Sequence, residues 1–264
     1  MKKETLLRRT QWDVFVLRKW NPDSFKGDRM DKKIIKAEVL WTYKCFRNCL
    51  GCGMKTGIAN SRSLIDWKQG MLNVQKLGAE FAAFYGAEPL CDFTNLPEIV
   101  SYCESIGINT TVITSASFNS KTKEKLRTLY KNGLRSLTTS FDIEAYDSSS
   151  EEKTNQAIEM LEYFRMFGPI RDVAAVVTVN RNNVELLPYA VELLSRRNIW
   201  TFFDLMHYDK GNPGTKCKGS KTELHLDHTD TLSLARIFSE LKLMQTKGFL
   251  IHMDELTMEM ILKD

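Results

Sequence analysis

Residues 37 to 52 read Ala-Glu-Val-Leu-Trp-Thr-Tyr-Lys-Cys-Phe-Arg-Asn-Cys-Leu-Gly-Cys, a β-rich run followed by three cysteines. The run predicts a strand over residues 37–42. Cys45, Cys49 and Cys52 come directly after the predicted end of that strand. The chain has six cysteines and begins without an export signal, so its thiols are expected to be reduced rather than paired in disulfides. Three thiols crowded on one loop therefore indicate a chemical role.

From this strand onward, short β-rich runs alternate with segments of helical period. The six predicted strands cover residues 37–42, 80–85, 109–115, 136–141, 173–179 and 200–205. In the helix after the second strand, one apolar stripe is formed by Leu96, Ile99, Val100 and Cys103. The alternation predicts parallel βαβ units, which can close into a barrel or form a flat doubly wound sheet. In both arrangements, chemistry is expected at the carboxyl ends of the strands.

The segment after the sixth strand is predicted to complete the domain. A polar loop is followed by a helix over residues 230–247, a short strand over 249–253 and a terminal helix. Asp227 or Thr229 is expected to cap the first of these helices. Its inward face is predicted to consist of Leu232, Ala235, Phe238 and Leu241. The expected parts of the chain are an N-terminal extension (1–36), a core (37–208) and a C-terminal part (209–264).

The composition of the 264-residue chain, 43% hydrophobic and 27% charged, suits one large folded domain. A net charge of +4 is too small to indicate a nucleic-acid partner. No apolar run reaches the roughly 18 to 20 residues that span a bilayer, and the first residues lack the apolar part of a secretion signal. We therefore expect a cytoplasmic protein without a membrane partner.

Positive charge is concentrated in the first 36 residues, which hold eleven Lys and Arg against five Asp and Glu. Over residues 12–18, Trp12, Val14, Val16 and Arg18 alternate with Asp13, Phe15 and Leu17. This alternation predicts that part of the arm is a strand or an extended piece packed on the core. One interpretation is a structural cap on the core with a solvated basic face. The other is an electrostatic guide for an anionic substrate.

Three thiolates on one short loop can bind three of the four irons of a [4Fe-4S] cluster. The fourth iron is then open to a small molecule. Zinc is the alternative ion, with Cys91 or a histidine as a fourth ligand. Zinc sites usually combine one C-x2-C pair with a second, distant pair, and the sequence has no second pair. The spacing therefore favours the cluster.

With this C-x3-C-x2-C spacing, residues 37–207 resemble the radical S-adenosylmethionine (SAM) superfamily. The resemblance implies an α/β fold, a partial (β/α)6 TIM-like barrel, here with the N-terminal extension and C-terminal helices. It also implies that the open iron of the cluster chelates SAM, and that reductive cleavage of SAM yields a 5′-deoxyadenosyl radical. Gly51 stands where the family commonly has an aromatic residue, so packing against adenine is expected to be looser or to come from Tyr43 or Met54.

A second motif follows the second predicted strand, where Gly86, Ala87, Glu88 and Pro89 resemble the family's Gly-Gly-Glu-Pro segment. In the family this segment holds the methionine amino group of SAM. Glycine permits close approach of the backbone, Glu88 offers a carboxylate to an ammonium, and proline fixes the turn. Ala87 in place of the second glycine is a departure from the pattern.

Further SAM ligands are implied by position at the ends of later strands. They are Ser115, Ser140, Asp142, Asn180 and Met206. Cys91, next to the Glu-Pro motif, and Cys217, in the polar loop, are candidates for contact with substrate or for hydrogen-atom donation. His225 and His228 have the composition of a metal site but precede a helix.

The resulting hypothesis is an enzyme that abstracts hydrogen from a substrate carbon and receives electrons from a flavodoxin or ferredoxin type of donor. The substrate could be a peptide or protein, a nucleotide or nucleic acid, or a small metabolite. One alternative is an activase of a glycyl-radical enzyme. Another, from a different class, is a non-catalytic scaffold protein with a structural zinc or iron–sulfur centre.

Overall fold

The computed structural model describes a set of segments that together carry most of the predicted core. They are residues 14–18, 34–47, 62–115, 117–141, 143, 148–168, 172–205, 226 and 228–252. The chain divides into two compact units. The first comprises residues 1–46, 56–113 and 124–136, and the second comprises residues 47–55, 114–123 and 137–264.

The described residues of the first unit form four strands and two helices. Its elements in chain order are β1 (Val14–Arg18), β2 (Ile34–Thr42), α1 (Leu64–Lys76), β3 (Phe81–Gly86), α2 (Leu96–Ser105) and β4 (Asn109–Thr114). Helix α3 (Ser120–Lys131) spans the boundary of the two units in sequence. Strand β1 pairs antiparallel with β2, whereas β2, β3 and β4 pair in parallel. The strand predicted in the N-terminal arm is thus confirmed.

The core of the first unit follows the predicted periodicity. The apolar stripe of α2 is completely buried, including Cys103. Helix α1 begins with a capping box in which Ser63 and Asp66 satisfy each other's backbone N–H groups. Its buried Trp67 packs against Trp41 of β2, with ring centroids 4.8 Å apart. These contacts fix both flanks of the cysteine segment, since Trp41 precedes it and Trp67 follows it.

The second unit repeats the alternation of strand and helix. Its elements are β5 (Ser136–Ser140), α4 (Ser148–Arg165), β6 (Asp172–Val179), α5 (Leu187–Ser195), β7 (Trp200–Leu205), α6 (Thr231–Thr246) and β8 (Ile251–His252). Strands β6, β7 and β8 pair in parallel. Just beyond β5, the Phe141 N–H donates to the Val176 carbonyl of β6 at 2.8 Å. Both units therefore have parallel strands alternating with helices, as the α/β prediction requires.

Two details near α6 differ from the sequence-based expectation. The residue at its N-cap is Asp230, not Asp227 or Thr229, and its side chain makes no capping hydrogen bond. The carboxylate instead forms an ion pair with Arg181, with Nη2 and Oδ2 2.6 Å apart. Leu232, predicted to face inward, is 86% exposed, whereas Phe238 and Leu241 are buried as expected. The apolar stripe of α6 therefore begins later than the pattern indicated.

Strand β2 begins at Ile34, earlier than the predicted start at residue 37. The extra residues pair with β1, in register with Arg18 and Leu17. The boundary between arm and core thus falls inside a strand. Among the helices of the described residues, none is both long enough and apolar enough to cross a membrane.

The buried thiol of Cys103 gives a test of the core of the first unit. Burial raises its pKa from 9.0 to about 12, so the neutral thiol is favoured by folding. This contribution is complete below pH 9 and is lost as the pH rises toward 12. We expect the free energy of unfolding to fall more steeply in that range for the wild type than for Cys103→Ala. Chemical denaturation at several pH values measures both slopes, and parallel slopes would contradict the assignment.

Candidate functional site

The carboxyl ends of β2 and β3 approach each other unusually closely. Thr42 and Gly86 are partners in the parallel register. Gly86 has a φ of +143°, and a Cβ at this position would lie 2.3 Å from the carbonyl oxygen of Thr42. The following amide, Ala87 N–H, donates to that same oxygen at 2.9 Å. Glycine is required here by both the backbone angle and the contact.

Thr42 is completely buried and links the two strand ends through its side chain as well. Its hydroxyl accepts a hydrogen bond from the Lys44 N–H at 3.1 Å and donates one to Asp92 Oδ2 at 3.3 Å. The segment that leads to the cysteines is therefore held against the chain that follows the Glu-Pro motif.

The Glu-Pro motif forms a 3-10 turn over Pro89–Cys91, with Glu88 as its N-cap. Glu88 is completely buried, and its Oε1 accepts a hydrogen bond from the Leu90 N–H at 3.0 Å. At the far side of the turn, the Lys125 ammonium donates to the carbonyl of Leu90. The bond from Leu90 orients the carboxylate, which as a chemical group has several acceptor positions.

Cys45, which follows β2, and Cys91, which follows β3, both lie in the first unit. Cys45 is half-buried and takes part in no disulfide, and Tyr43 is also half-buried. Cys91 is half-buried, and burial raises the pKa of its thiol, reinforced by the negative charge of Glu88. A hydrogen bond from the Phe46 backbone partly opposes this rise in pKa. Cys91 thus contacts the residue that directly follows Cys45.

The second unit has its own cleft at the carboxyl end of β5. It is lined by Arg47, Ser115, Thr139, Ser140, Lys153, Gln156, Ala157 and Met160. Two of the predicted ligands, Ser115 and Ser140, are thereby brought together. The cleft also holds two cationic side chains and one buried group without a partner. The Thr139 hydroxyl is completely buried and has no hydrogen-bond partner among the described residues.

Unpartnered buried hydroxyls are costly, because the group has lost water without gaining a replacement. A bound oxyanion or hydroxyl in this cleft would supply the missing partner for Thr139. Arg47 and Lys153 favour a negative charge in the same place. The chemistry of the lining therefore suits a carboxylate or a polyhydroxyl group.

Asn180, predicted as a ligand on β6, is not among the residues that line this cleft. It is buried in the turn after the strand, where its Oδ1 accepts from the Asn182 N–H at 2.9 Å. Its own N–H donates to Oδ1 of Asn183, also at 2.9 Å. Both asparagine side chains thus stabilise the turn.

Several predicted residues lie outside the described part of the chain. They are Cys49, Gly51, Cys52, Met54, Asp142, Met206, Cys217, His225 and Asp227, together with the side chain of His228. Within the described segments, no group of three or more His, Cys, Asp or Glu side chains could hold a metal ion. The cysteine ligand set therefore stays a prediction from spacing.

The structure adds residues that the sequence did not single out. Thr42 and Asp92 form the link between the strand ends, and Arg47, Thr139 and Lys153 line the cleft. A polar residue ending an apolar strand was the available signal for Thr42. No pattern identified Lys153, because a lysine near the start of a helix is usually a solvated surface residue.

No family model and no curated protein sequence matches the chain. Solved structures do match it. SuiB of Streptococcus suis bound to S-adenosylmethionine is 16% identical, with a TM-score of 0.57 over 83% of this chain and 50% of that chain. SuiB bound to the precursor peptide SuiA is 18% identical, with a TM-score of 0.57 over 81% of this chain and 47% of that chain.

Two further enzymes share this likeness. The FeFe-hydrogenase maturase HydG of Carboxydothermus hydrogenoformans is 12% identical, with a TM-score of 0.61 over 87% of this chain and 56% of that one. Coproporphyrinogen III oxidase HemN, a radical SAM enzyme of Escherichia coli, is 12% identical, with a TM-score of 0.52 over 83% of this chain and 56% of that chain. The chain spans about half the length of these proteins. It has the fold of these enzymes, among them the radical SAM enzyme HemN, which confirms the predicted fold class.

The contact of Gly86 with Thr42 predicts a large effect of a single methyl group. Gly86→Ala places Cβ against a backbone oxygen at an unfavourable φ, so the strand ends must separate. We expect a loss of about 2 to 4 kcal/mol in the free energy of unfolding. Gly107→Ala is the matched control, because its φ of +79° is also strained but nothing lies within 4 Å of the added Cβ. Urea titrations compare the two, and equal losses would refute the contact argument.

Proposed function

We propose that the chain is a radical SAM enzyme in which Cys45, Cys49 and Cys52 hold a [4Fe-4S] cluster. When bound, the cluster and SAM supply reductive cleavage to a 5′-deoxyadenosyl radical that abstracts hydrogen from a substrate. The observation that carries the proposal is the packing of Gly86 on Thr42, which brings the Glu88 turn beside residues 41–44, the stem of the cysteine loop. The shared fold with radical SAM enzymes supports it.

The cysteines fit a cluster by donor type and number, since three thiolates leave one iron without a protein ligand. Cys45 follows directly on the anchored stem of the loop, and its thiol is half-buried and in no disulfide. The roles of Cys49 and Cys52 rest on their spacing from Cys45. Gly51 and Tyr43 are proposed to lie beside the adenine.

The Glu88 turn fits the methionine end of SAM. Removing a carboxylate from water favours a cationic partner, and the ammonium of SAM is such a partner. Gly86 and Ala87 bring the backbone close, and Pro89 fixes the first position of the turn. In this proposal Glu88 accepts from the ammonium while its bond to Leu90 N–H keeps the carboxylate oriented.

The cleft of the second unit fits the polar oxygens of SAM. Ser115, Ser140 and Thr139 offer hydroxyls, and Arg47 and Lys153 offer positive charge. A carboxylate or a ribose would provide the acceptor or donor that the Thr139 hydroxyl lacks. Asp142, Asn180 and Met206 are proposed as further SAM ligands from their places after strands β5, β6 and β7.

The external partners are proposed from chemistry and likeness. Reduction of the cluster needs a one-electron donor, which we take to be of the flavodoxin or ferredoxin type in a cytoplasmic setting. A peptide is the first substrate class to test, because SuiB, which shares the fold, binds a precursor peptide. Because the segment ahead of β2 has an excess of Lys and Arg, an acidic peptide is the better match.

The test of the proposed function is anaerobic reconstitution with iron and sulfide, followed by reduction in the presence of SAM. We expect a brown protein that releases 5′-deoxyadenosine. Replacing Cys45, Cys49 or Cys52 by Ala should abolish both properties, because each supplies one iron ligand. Cys103→Ala is the control and should retain both, since its thiol is buried in the core. A colourless zinc protein, or full cluster content in Cys49→Ala, would refute the proposal.

The unpartnered hydroxyls give a second prediction. In the described part of the chain, Thr110 and Thr201 are also buried without a hydrogen-bond partner, but they do not line the cleft. Each Thr→Val substitution removes an unsatisfied group at constant shape, so we expect unchanged or higher stability in all three variants. Only Thr139→Val should weaken SAM binding, by roughly three- to tenfold for one lost hydrogen bond. Titration of the reconstituted proteins with SAM measures the dissociation constant of each variant. Equal dissociation constants in the three variants would exclude Thr139 as a ligand.

A further inference from the structure

Asp92 makes three contacts that converge from neighbouring positions of the cysteine-loop stem. Its backbone carbonyl accepts from the Trp41 indole Nε1–H at 2.8 Å. Its carboxylate accepts from the Thr42 hydroxyl at Oδ2 and pairs with the Lys44 ammonium at Oδ1, each at 3.3 Å. One residue thus contacts positions 41, 42 and 44.

Trp41 and Thr42 are also fixed by contacts that do not involve Asp92, whereas Lys44 depends on it. Trp41 packs against Trp67 and Phe84, with ring centroids 4.8 and 5.8 Å away. Thr42 is held by strand register and by the Ala87 N–H. Lys44 lies beyond the end of β2, where it is held through its N–H by Thr42 and through its ammonium by Asp92.

The position of Lys44 matters because Cys45 follows it directly. Asp92, in turn, ends the turn that Glu88 begins, and its N–H donates to the Pro89 carbonyl at 3.1 Å. A single carboxylate therefore connects the residue before the first proposed iron ligand to the turn that carries the proposed ammonium ligand.

We propose that Asp92 is a positioning residue that sets the spacing between Cys45 and Glu88. The inference rests on the proposed function, in which Cys45 holds the cluster and Glu88 the methionine end of SAM. Asp92 contacts neither group in this proposal; it acts through Lys44 and Thr42. Its loss should leave cluster uptake intact and disturb the fit of SAM to the cluster.

The solvent exposure of the Lys44–Asp92 ion pair distinguishes a positioning role from a purely structural role. The Lys44 and Asp92 side chains are 42% and 22% exposed, so their attraction is screened and contributes little to folding stability. Asp92→Asn keeps the backbone carbonyl for Trp41 and a side-chain oxygen for Thr42, but removes the charge facing Lys44. Lys44→Met keeps the backbone N–H and the aliphatic stem.

The experiment compares Asp92→Asn, Lys44→Met and the double variant after anaerobic reconstitution. The readouts are iron per protein, the thermal midpoint, the dissociation constant for SAM, and the change that SAM causes in the electron paramagnetic resonance spectrum of the reduced cluster. Lys68→Met is the matched control. It removes another ion pair of the same unit, in which Lys68 Nζ lies 2.6 Å from Glu98 Oε1. This pair lies outside the turn.

We expect wild-type iron content and thermal midpoint in all variants. The dissociation constant for SAM should rise roughly three- to tenfold in both single variants and by no more in the double variant, because one contact is removed in each. The spectral change on SAM addition should be altered in the same three proteins. Lys68→Met should match the wild type in every readout.

Two outcomes overturn the inference. One is an Asp92→Asn protein whose SAM affinity and spectrum equal those of the wild type. The other is a loss of SAM binding that tracks a loss of iron or of thermal stability, which assigns Asp92 a structural role. A wild-type protein that binds no cluster refutes the proposed function itself, so the two failures are distinguishable.

Discussion

The backbone contact between Thr42 and Gly86 is the constraint on which the candidate site depends. Parallel pairing already places the ends of β2 and β3 side by side, but at this pair a Cβ on residue 86 would collide with the Thr42 carbonyl oxygen. Removal of the Cβ at position 86 lets the Thr42 carbonyl approach and accept from the Ala87 N–H. The direction of the chain after Gly86 is then fixed, and with it the place of the Glu88 turn. A motif at the end of one strand thereby meets a loop at the end of another.

Two buried polar groups, one in each unit, differ in whether their hydrogen bonding is satisfied. Glu88, in the first unit, is completely buried, and its carboxylate accepts a hydrogen bond from the Leu90 N–H that orients it. Thr139 is equally buried and has no partner. The desolvation penalty of an orphaned hydroxyl, about 1 to 3 kcal/mol, is removed when a ligand binds. Such a penalty in the free protein makes the free energy of ligand binding more favourable, because the Thr139 hydroxyl would gain a partner only in the bound state.

The sequence predicted those features that depend on local pattern. The stripe of α2 and the six strands followed from periodicity, because apolar spacing reports which face is buried. The segment from Gly86 to Pro89 was recognised because its residue types have a local conformational meaning. Asp92 was not predicted, since its contacts are with residues about 50 positions earlier in the chain. The exposure of Leu232 was missed for a similar reason: helical periodicity does not show where the first turn leaves the core.

In the role proposed for Asp92, the Lys44–Asp92 pair acts on the geometry of the site more than on folding stability. A half-exposed ion pair contributes about 0 to 1 kcal/mol to folding, which a domain of this size hardly registers. Displacement of a reacting group by about 1 Å, however, can cost two orders of magnitude in rate. An interaction too weak to hold the fold together is still strong enough to choose among positions of a short loop segment. The stem of the cysteine loop is such a segment, since beyond Thr42 it has left the strand ladder.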